Sequence, residues 1–293
     1  MHDNLPAADA RAFALPDHRL IALRGRDAVA FAQAQFMNDV GLLESRRWQW
    51  NGWLTPKGRV LALFALLKQS DEELWLLLPD ADPVEMATAL QRFVFRSKLS
   101  IEVRPDLHVS GSFAAPSMAQ GSALGGDGGV DAVELDLGGE AGPRTLRITA
   151  SSAAADDAGS VARWQAFDLA HGLPRLPASQ AGHWTPQQLS LERLQAFSVK
   201  KGCYPGQEIV ARTHFLGQAK RGLALLEGDS ELPAGTDVMA GATALGKLVA
   251  SADIDADRRH VALAVLPLER EPQEMSAGDV ALRELPLRGG LGR

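Results

Sequence analysis

Lys200 to Arg212 reads KKGCYPGQEIVAR and holds the only cysteine and the only tyrosine of the chain, Cys203 and Tyr204, side by side. Gly202, Pro205 and Gly206 predict a tight turn around the cysteine. QEIVAR after it predicts the first turns of a helix, with Glu208 near the positive end of its dipole. A thiol at such a helix start, beside Lys200 and Lys201, is expected to carry more thiolate at neutral pH and to act as a nucleophile or a ligand. A second reading fits the same residues: Cys203 as a small buried hydrophobe in a turn and Tyr204 as a core aromatic. His214 follows on the same helix, but local spacing does not fix it as a partner.

A single cysteine permits no internal disulfide and fits a reducing compartment. It also cannot supply the four thiolates of a stable iron–sulphur cluster, so no resident metal site is expected. The formal net charge of −6 gives no global attraction for phosphate backbones. Direct nucleic-acid binding is therefore not expected, although a local basic patch stays open. No apolar run approaches the roughly 20 residues that cross a bilayer, and MHDNLPAADARAFALPDHRL lacks the basic start and apolar stretch of a signal peptide. A cytoplasmic protein without membrane contact is expected.

With 293 residues the chain is long enough for about two domains. RLIALRG predicts a strand and DAVAFAQAQF a helix opening at Asp27. RRWQWNGWL alternates like a half-buried strand, and RVLALFALL and ELWLLL flank the polar turn KQSDE as a hairpin would. DPVEMATALQRFVF predicts a helix with Asp82 as N-cap and Pro83 at its first position, and KLSIEV a closing strand. The order suggests a ferredoxin-like α+β layer. Ser110 to Ser160 is rich in glycine, alanine and serine, with only VDAVELDL and RTLRIT strand-like, and reads as a loop-rich second layer. VARWQAFDLAHG predicts a helix with a glycine stop, and TPQQLSLERLQAF a second helix, capped by Thr185, leading into the cysteine segment. From Arg221 onward, GLALLEG, TDVMAG, GKLVASADI, HVALAVLP and VALRELPL predict a small β-barrel.

KGCYPGQE resembles the Lys-Gly-Cys-Tyr/Phe-x-Gly-Gln-Glu signature of the YgfZ family, folate-binding proteins related to the T-protein of the glycine cleavage system. Lys201, Gly202, Cys203, Tyr204, Gly206, Gln207 and Glu208 match it, and Pro205 fills the variable slot. GRDAVAFAQAQFMNDV, TPKGRVLALF, FDLAHGLPRLP and AKRGLALL are similar to the family's other landmarks in the same order, and GKLVAS and VALAVL to its C-terminal barrel strands. The resemblance implies an aminomethyltransferase-like α+β folate-binding fold with ferredoxin-like subdomains and a C-terminal β-barrel. The layout it implies is a folate-binding domain over 1–220, with a first layer at about 18–104 and a second at about 105–220, then a barrel over 221–293. A central channel would hold tetrahydrofolate or a derivative.

The resemblance further implies a protein that supports assembly or repair of iron–sulphur clusters in client enzymes, including tRNA-modifying radical enzymes, with Cys203 as the acting residue and Lys201 beside it. Trp164 matches a tryptophan implicated in folate contact, although without the resemblance the residues favour plain core packing on an amphipathic helix. Tyr204, Gln207 and Glu208 are placed with the folate by the same resemblance. Arg212, Lys220 and Arg221 match basic positions suited to the glutamate tail, and are otherwise a solvated edge. Lys57 and Arg59 are either hairpin surface charges or channel residues. Two departures stand out. His18 occupies a strand-one position where a homologue carries a second tryptophan for folate. Ala62 and Leu63 stand where the T-protein has an acidic pair, which removes the expected electrostatic help for aminomethyl transfer. A one-carbon transferase, and an interaction module with a vestigial folate cavity, are the competing readings.

Overall fold

The computed structural model describes residues 11–126, 132–151, 154–217, 219–254 and 259–293. The first ten residues, read above for a targeting signal, lie outside them. In chain order the first part holds β1 (Phe13–Ala14), β2 (Arg19–Arg24), α1 (Ala28–Gln35), β3 (Arg47–Leu54), β4 (Val60–Lys68), β5 (Glu73–Leu78), α2 (Pro83–Gln91) and β6 (Ser100–Val103). All but β1 build one antiparallel sheet ordered β3-β4-β5-β2-β6, with α1 and α2 as its crossovers. β4, β5, β2 and β6 reproduce the ferredoxin-like arrangement, and β3 is an added edge strand.

Alternation along these strands divides the sheet into two apolar faces. Ile21, Leu23, Phe64, Leu66 and Leu76 meet Phe31, Met86 and Leu90 from the two helices. Leu20, Ala22, Trp48, Trp50, Leu67 and Leu77 turn the other way, into the largest core. For this reason RRWQWNGWL is not half-buried as expected: β3 is buried from Trp48 onward, because both faces of the sheet are covered. Asp82 caps α2 as predicted, its Oδ1 accepting from the Val84 and Glu85 backbone N–H groups at 2.8 Å each. Asp27 does not cap α1 with its side chain; its Oδ2 accepts from the Lys98 N–H at 2.7 Å and ties the helix start to the approach to β6.

The second layer holds β7 (His108–Ser112), β8 (Val133–Asp136), β9 (Thr145–Thr149) and α3 (Ala158–Ala170), with the sheet ordered β1-β7-β9-β8. α3 starts earlier than the apolar pattern predicts because Asp157 caps it, accepting from the Ser160 N–H at 3.0 Å. The predicted stop holds, with Gly172 at φ +71°.

TPQQLSLERLQAF is not the predicted helix. Thr185 and Gln188 do form a reciprocal cap, and one turn closes from the Leu189 N–H to the Thr185 carbonyl. Ser190 and Gln195 then take left-handed backbone, at φ +48° and +56°, around a short 3-10 turn, Leu191–Leu194. Leu189, Leu191, Leu194 and Ala196 are all buried, a spacing that no single helical stripe provides. Ser190 Oγ instead accepts from the Leu223 N–H at 3.0 Å.

α4 (Gln207–Phe215) follows, then a closed barrel of β10 (Arg221–Gly228), β11 (Asp237–Ala240), β12 (Thr243–Asp253), β13 (His260–Pro267), β14 (Met275–Ala277) and β15 (Val280–Leu285), ordered β10-β13-β12-β11-β14-β15. Leu226, Val238, Leu248 and Leu266 fill its interior. Leu223, Leu225, Val249, Leu263 and Val265 face outward into the large core beside Trp50 and Trp164. Among the described residues no helix is long and apolar enough to cross a membrane.

Candidate functional site

The signature turn is held by its neighbours' backbone. Gly206, at φ +81°, is the N-cap of α4, and a Cβ there would lie 2.7 Å from both the Gly58 Cα and the Thr55 carbonyl oxygen. Gly58, at φ +67°, is equally confined, since its Cβ would lie 2.8 Å from the Ile209 Cβ. The TPKGR hairpin therefore packs directly on the start of α4. Arg59 pins that hairpin by donating to the His183 carbonyl at 2.9 Å and Gln188 Oε1 at 3.1 Å, while Lys57 is exposed at the tip.

Within the turn, the polar side chains face inward. Lys201 is buried, and its Nζ donates to the carbonyls of Gln33 at 2.6 Å, Phe36 at 2.6 Å and Asn38 at 3.1 Å. These lie at and beyond the C-terminus of α1, where helix carbonyls lack internal partners and the dipole favours a cation. Burial lowers its pKa to about 8, with the Asp39 charge acting the other way. The three donors of Lys201 thus meet three backbone carbonyls. Tyr204 is buried under the same ammonium, 4.9 Å from its ring centroid, and donates to the Ser198 carbonyl at 3.3 Å. Burial pushes its pKa to about 12, so the phenol stays neutral. Gln207 closes the turn by donating to the Lys201 carbonyl at 3.0 Å.

Cys203 is exposed, beside an exposed Gly202 around which a Cβ would meet nothing within 4 Å. Of the two readings of the pair, the core aromatic describes Tyr204 and the accessible thiol describes Cys203. Glu208, Arg212 and Lys220 are exposed, and His214 is exposed with its ring edge-on to Phe215. Arg221 donates to the Leu245 carbonyl of β12. Among the described residues no three His, Cys, Asp or Glu side chains gather as a metal site would require.

Trp164 belongs to a different place. Its ring sits edge-on to Phe13 at 5.9 Å and against Gly111, where a Cβ would come within 2.9 Å of it. It also walls a buried cavity of about 20 Å³, shared with His18, Trp50, Leu77, Leu135 and Asp168, which is room for about one water molecule. Trp164 therefore packs the core, as one of its readings expects, and also borders a cavity.

Behind the cavity runs a charge network that the sequence landmarks contained without revealing. Asp168 lies 2.8 Å from Arg144 Nη1 and 3.5 Å from Arg175 Nη1. Arg144 is fully buried, its guanidinium 4.2 Å from the Trp164 ring and 3.8 Å from that of Phe167. Arg175 donates to Asp80 Oδ1 at 2.7 Å and to the Pro79 carbonyl at 2.8 Å. Burial raises the Asp80 pKa against the pull of Arg175. Burial also holds His18 well below its usual value, helped by Arg175, Arg144 and Arg19, so its ring is neutral. His18 Nδ1, Arg144 Nη2 and Arg175 Nη1 are buried without a hydrogen-bond partner. The signal available in the sequence was the aspartate inside FDLAHG and the arginine between the prolines of GLPRLP. Ala62 and Leu63 are buried in β4 and bring no carboxylate to the centre.

The predicted residues therefore form two groups, the exposed thiol with its buried supports and the tryptophan with the cavity. None of Arg212, Lys220 and Arg221 shares a hydrogen bond or ring contact with Trp164 among the described residues.

No family model matches the chain. It is 28% identical to the tRNA-modifying protein YgfZ of Vibrio vulnificus, over 87% of the chain and 83% of that protein. The protein of the same name from Colwellia psychrerythraea is 29% identical, over 76% of the chain and 73% of its own length. The solved aminomethyltransferase T of the glycine cleavage system from Bartonella henselae superposes with a TM-score of 0.69, covering 94% of this chain and 86% of that one at 14% identity. A shared fold with the transferase, and shared sequence over most of the length with the YgfZ proteins, make this chain a YgfZ-like protein of the aminomethyltransferase fold.

Proposed function

We propose that this protein is a tetrahydrofolate-binding accessory factor that supports iron–sulphur cluster assembly or repair in client enzymes, tRNA-modifying radical enzymes among them. The observation that carries this reading is an exposed single thiol on a turn whose neighbouring side chains, Lys201, Tyr204 and Gln207, are all committed to holding it. A loop held in this way and presenting one free thiol suits a ligand lent to a cluster in transit, the remaining ligands coming from the client or its partner. The names of the YgfZ relatives, tRNA-modifying proteins, favour clients of that class.

The chemistry of the cavity suits a pterin. Asp168 offers a carboxylate to its N–H groups, and Trp164 and Trp50 supply aromatic surface. About 20 Å³ does not admit that ring, so binding requires the cavity wall to open. When bound, a reduced folate carries one-carbon units; the residues here bind and orient it.

The test is complementation in cells lacking their own family member, reading a cluster-dependent tRNA methylthiolation. Wild type should restore it and Cys203→Ser should not. Equal rescue by the two would remove the thiol from the function, and failure of the wild type would remove this client class.

A further inference from the structure

The turn after α2 reads RFVFRSK, Arg92 to Lys98, and holds three cations and no carboxylate in a chain whose acidic residues outnumber its lysines and arginines 36 to 30. Its two rings stand in solvent, Phe93 at 48% exposure and Phe95 at 75%. Val94 between them packs on the helix-side core of the first sheet, so the smaller apolar side chain is covered and the larger ones are displayed. The segment is tied down at both ends, by the Phe93 N–H to the Leu90 carbonyl at 2.9 Å and by the Lys98 N–H to Asp27 Oδ2. Arg96 takes left-handed backbone at φ +59°, disfavoured for a residue with a Cβ, and its guanidinium lies 5.1 Å from the Phe95 ring centroid. Strain of this kind gathers at binding surfaces.

The charge of this turn is uncompensated. None of Arg92, Arg96 and Lys98 pairs with a carboxylate among the described residues, and Asp27 is taken by the Lys98 N–H and by Arg26 at 3.7 Å. The turn and the thiol loop rest on one strand end. Trp53 of β3 stands edge-on to Phe93 at 6.2 Å and bridges to Phe36, whose carbonyl accepts from Lys201 Nζ. Two residues on, Thr55 supplies the carbonyl that abuts Gly206.

We propose that residues 92–98 form a docking surface for an acidic segment of a client protein, one that carries apolar side chains among its carboxylates. Phe93 and Phe95 receive the apolar side chains, and Arg92, Arg96 and Lys98 face the carboxylates. This rests on the accessory-factor reading above and names the surface that brings a client to Cys203. Three cations on a chain of net charge −6 are too few for a phosphate backbone, which takes about six or more such contacts, so a protein segment is the better fit.

The test uses the purified full chain and fluorescence anisotropy. The probe is a fluorescein-labelled peptide of four Asp-Glu-Leu repeats, compared with four Asp-Glu-Ser repeats and with a labelled oligouridylate of the same length. Wild type should bind the leucine peptide about tenfold more tightly than the serine peptide, the factor given by burying one apolar side chain. Phe95→Ser should weaken leucine-peptide binding about tenfold. Arg96→Gly should weaken it about threefold without lowering the melting temperature, since glycine takes left-handed backbone freely. Met118→Ser, which removes an exposed apolar side chain between β7 and β8, should leave it within about twofold. No binding of the leucine peptide, equal binding of the two peptides, tighter binding of the oligouridylate, equal losses in Phe95→Ser and Met118→Ser, or a dimer that Phe95→Ser dissociates in sedimentation would each overturn the surface. In the complementation assay, rescue by Phe95→Ser equal to that by wild type would also overturn it and leave the accessory-factor reading standing. Failure of the wild type to rescue would overturn that reading, while the peptide measurements still decide the surface.

Discussion

Gly206 and Gly58 meet backbone to backbone, so close that a side chain on the first would overlap the second. This contact fixes the signature turn on the TPKGR hairpin. Gly206→Ala should cost about 2 kcal/mol or more in chemical denaturation, combining left-handed strain with overpacking. Gly121→Ala is the control, because Gly121 has φ +57° and open space around it; it should cost only about 1 kcal/mol. Equal losses at the two positions would mean that the hairpin contact contributes nothing.

Cys203 should titrate as one thiol per chain with a disulfide reagent in native buffer. Cys203→Ser should change stability by no more than about 0.5 kcal/mol, as expected for an exposed position. A thiol that reacts only after denaturation would contradict the exposure.

Glu134 offers a pH signature. Burial acts to raise its pKa, but the Met118 and Ala119 N–H groups, Arg147 and Ser117 outweigh it and bring the carboxyl to about 2. The folded pKa lies below the ordinary value of 4.5, so the stabilisation is complete above that pH and is lost as pH falls toward 2. It amounts to about 3 kcal/mol. Glu134→Gln should flatten the acid limb of stability in urea titrations across that window, and an unchanged limb would show that the carboxylate is not what anchors residues 117–119.

Asp168→Asn removes the charge that separates two buried guanidiniums. Arg144 and Arg175 then face each other uncompensated, at an expected cost of about 3–5 kcal/mol. Trp164→Phe, which keeps most of the ring packing, should cost far less than Trp164→Ala, whose loss should be about 3–5 kcal/mol. Thermal melts of the three variants order these contributions. A near-neutral Asp168→Asn would mean that the network is not ionised.

The first sheet and the barrel were legible because period-two apolar runs and their turns were intact, and α2 because Asp82 and Pro83 mark a start by local chemistry alone. Thr185 and Pro186 mark a start just as clearly, yet only one turn follows. The leucines after it are claimed by several neighbours, and Ser190 bonds to the barrel. β1 and β7 were not foreseen, since HVSGS offers no alternation strong enough to stand out. At the site, Cys203 and its turn were readable from glycine and proline placement. The direction of Lys201 was not, because its acceptors at Gln33 and Phe36 lie 168 and 165 residues away in the chain. Arg144, Asp168 and Arg175 were invisible for the same reason: charged residues read as surface until their partners are known.

The barrel closes on itself and still lends its outer strands to the core that contains Trp50 and Trp164. Cooperativity should follow from that sharing. Melting the barrel strips the lining from the main body, and neither part has an apolar face it can leave behind. Calorimetry should record one transition for the whole chain, and a ligand that tightens the cavity should be felt as protection of barrel amides against hydrogen exchange.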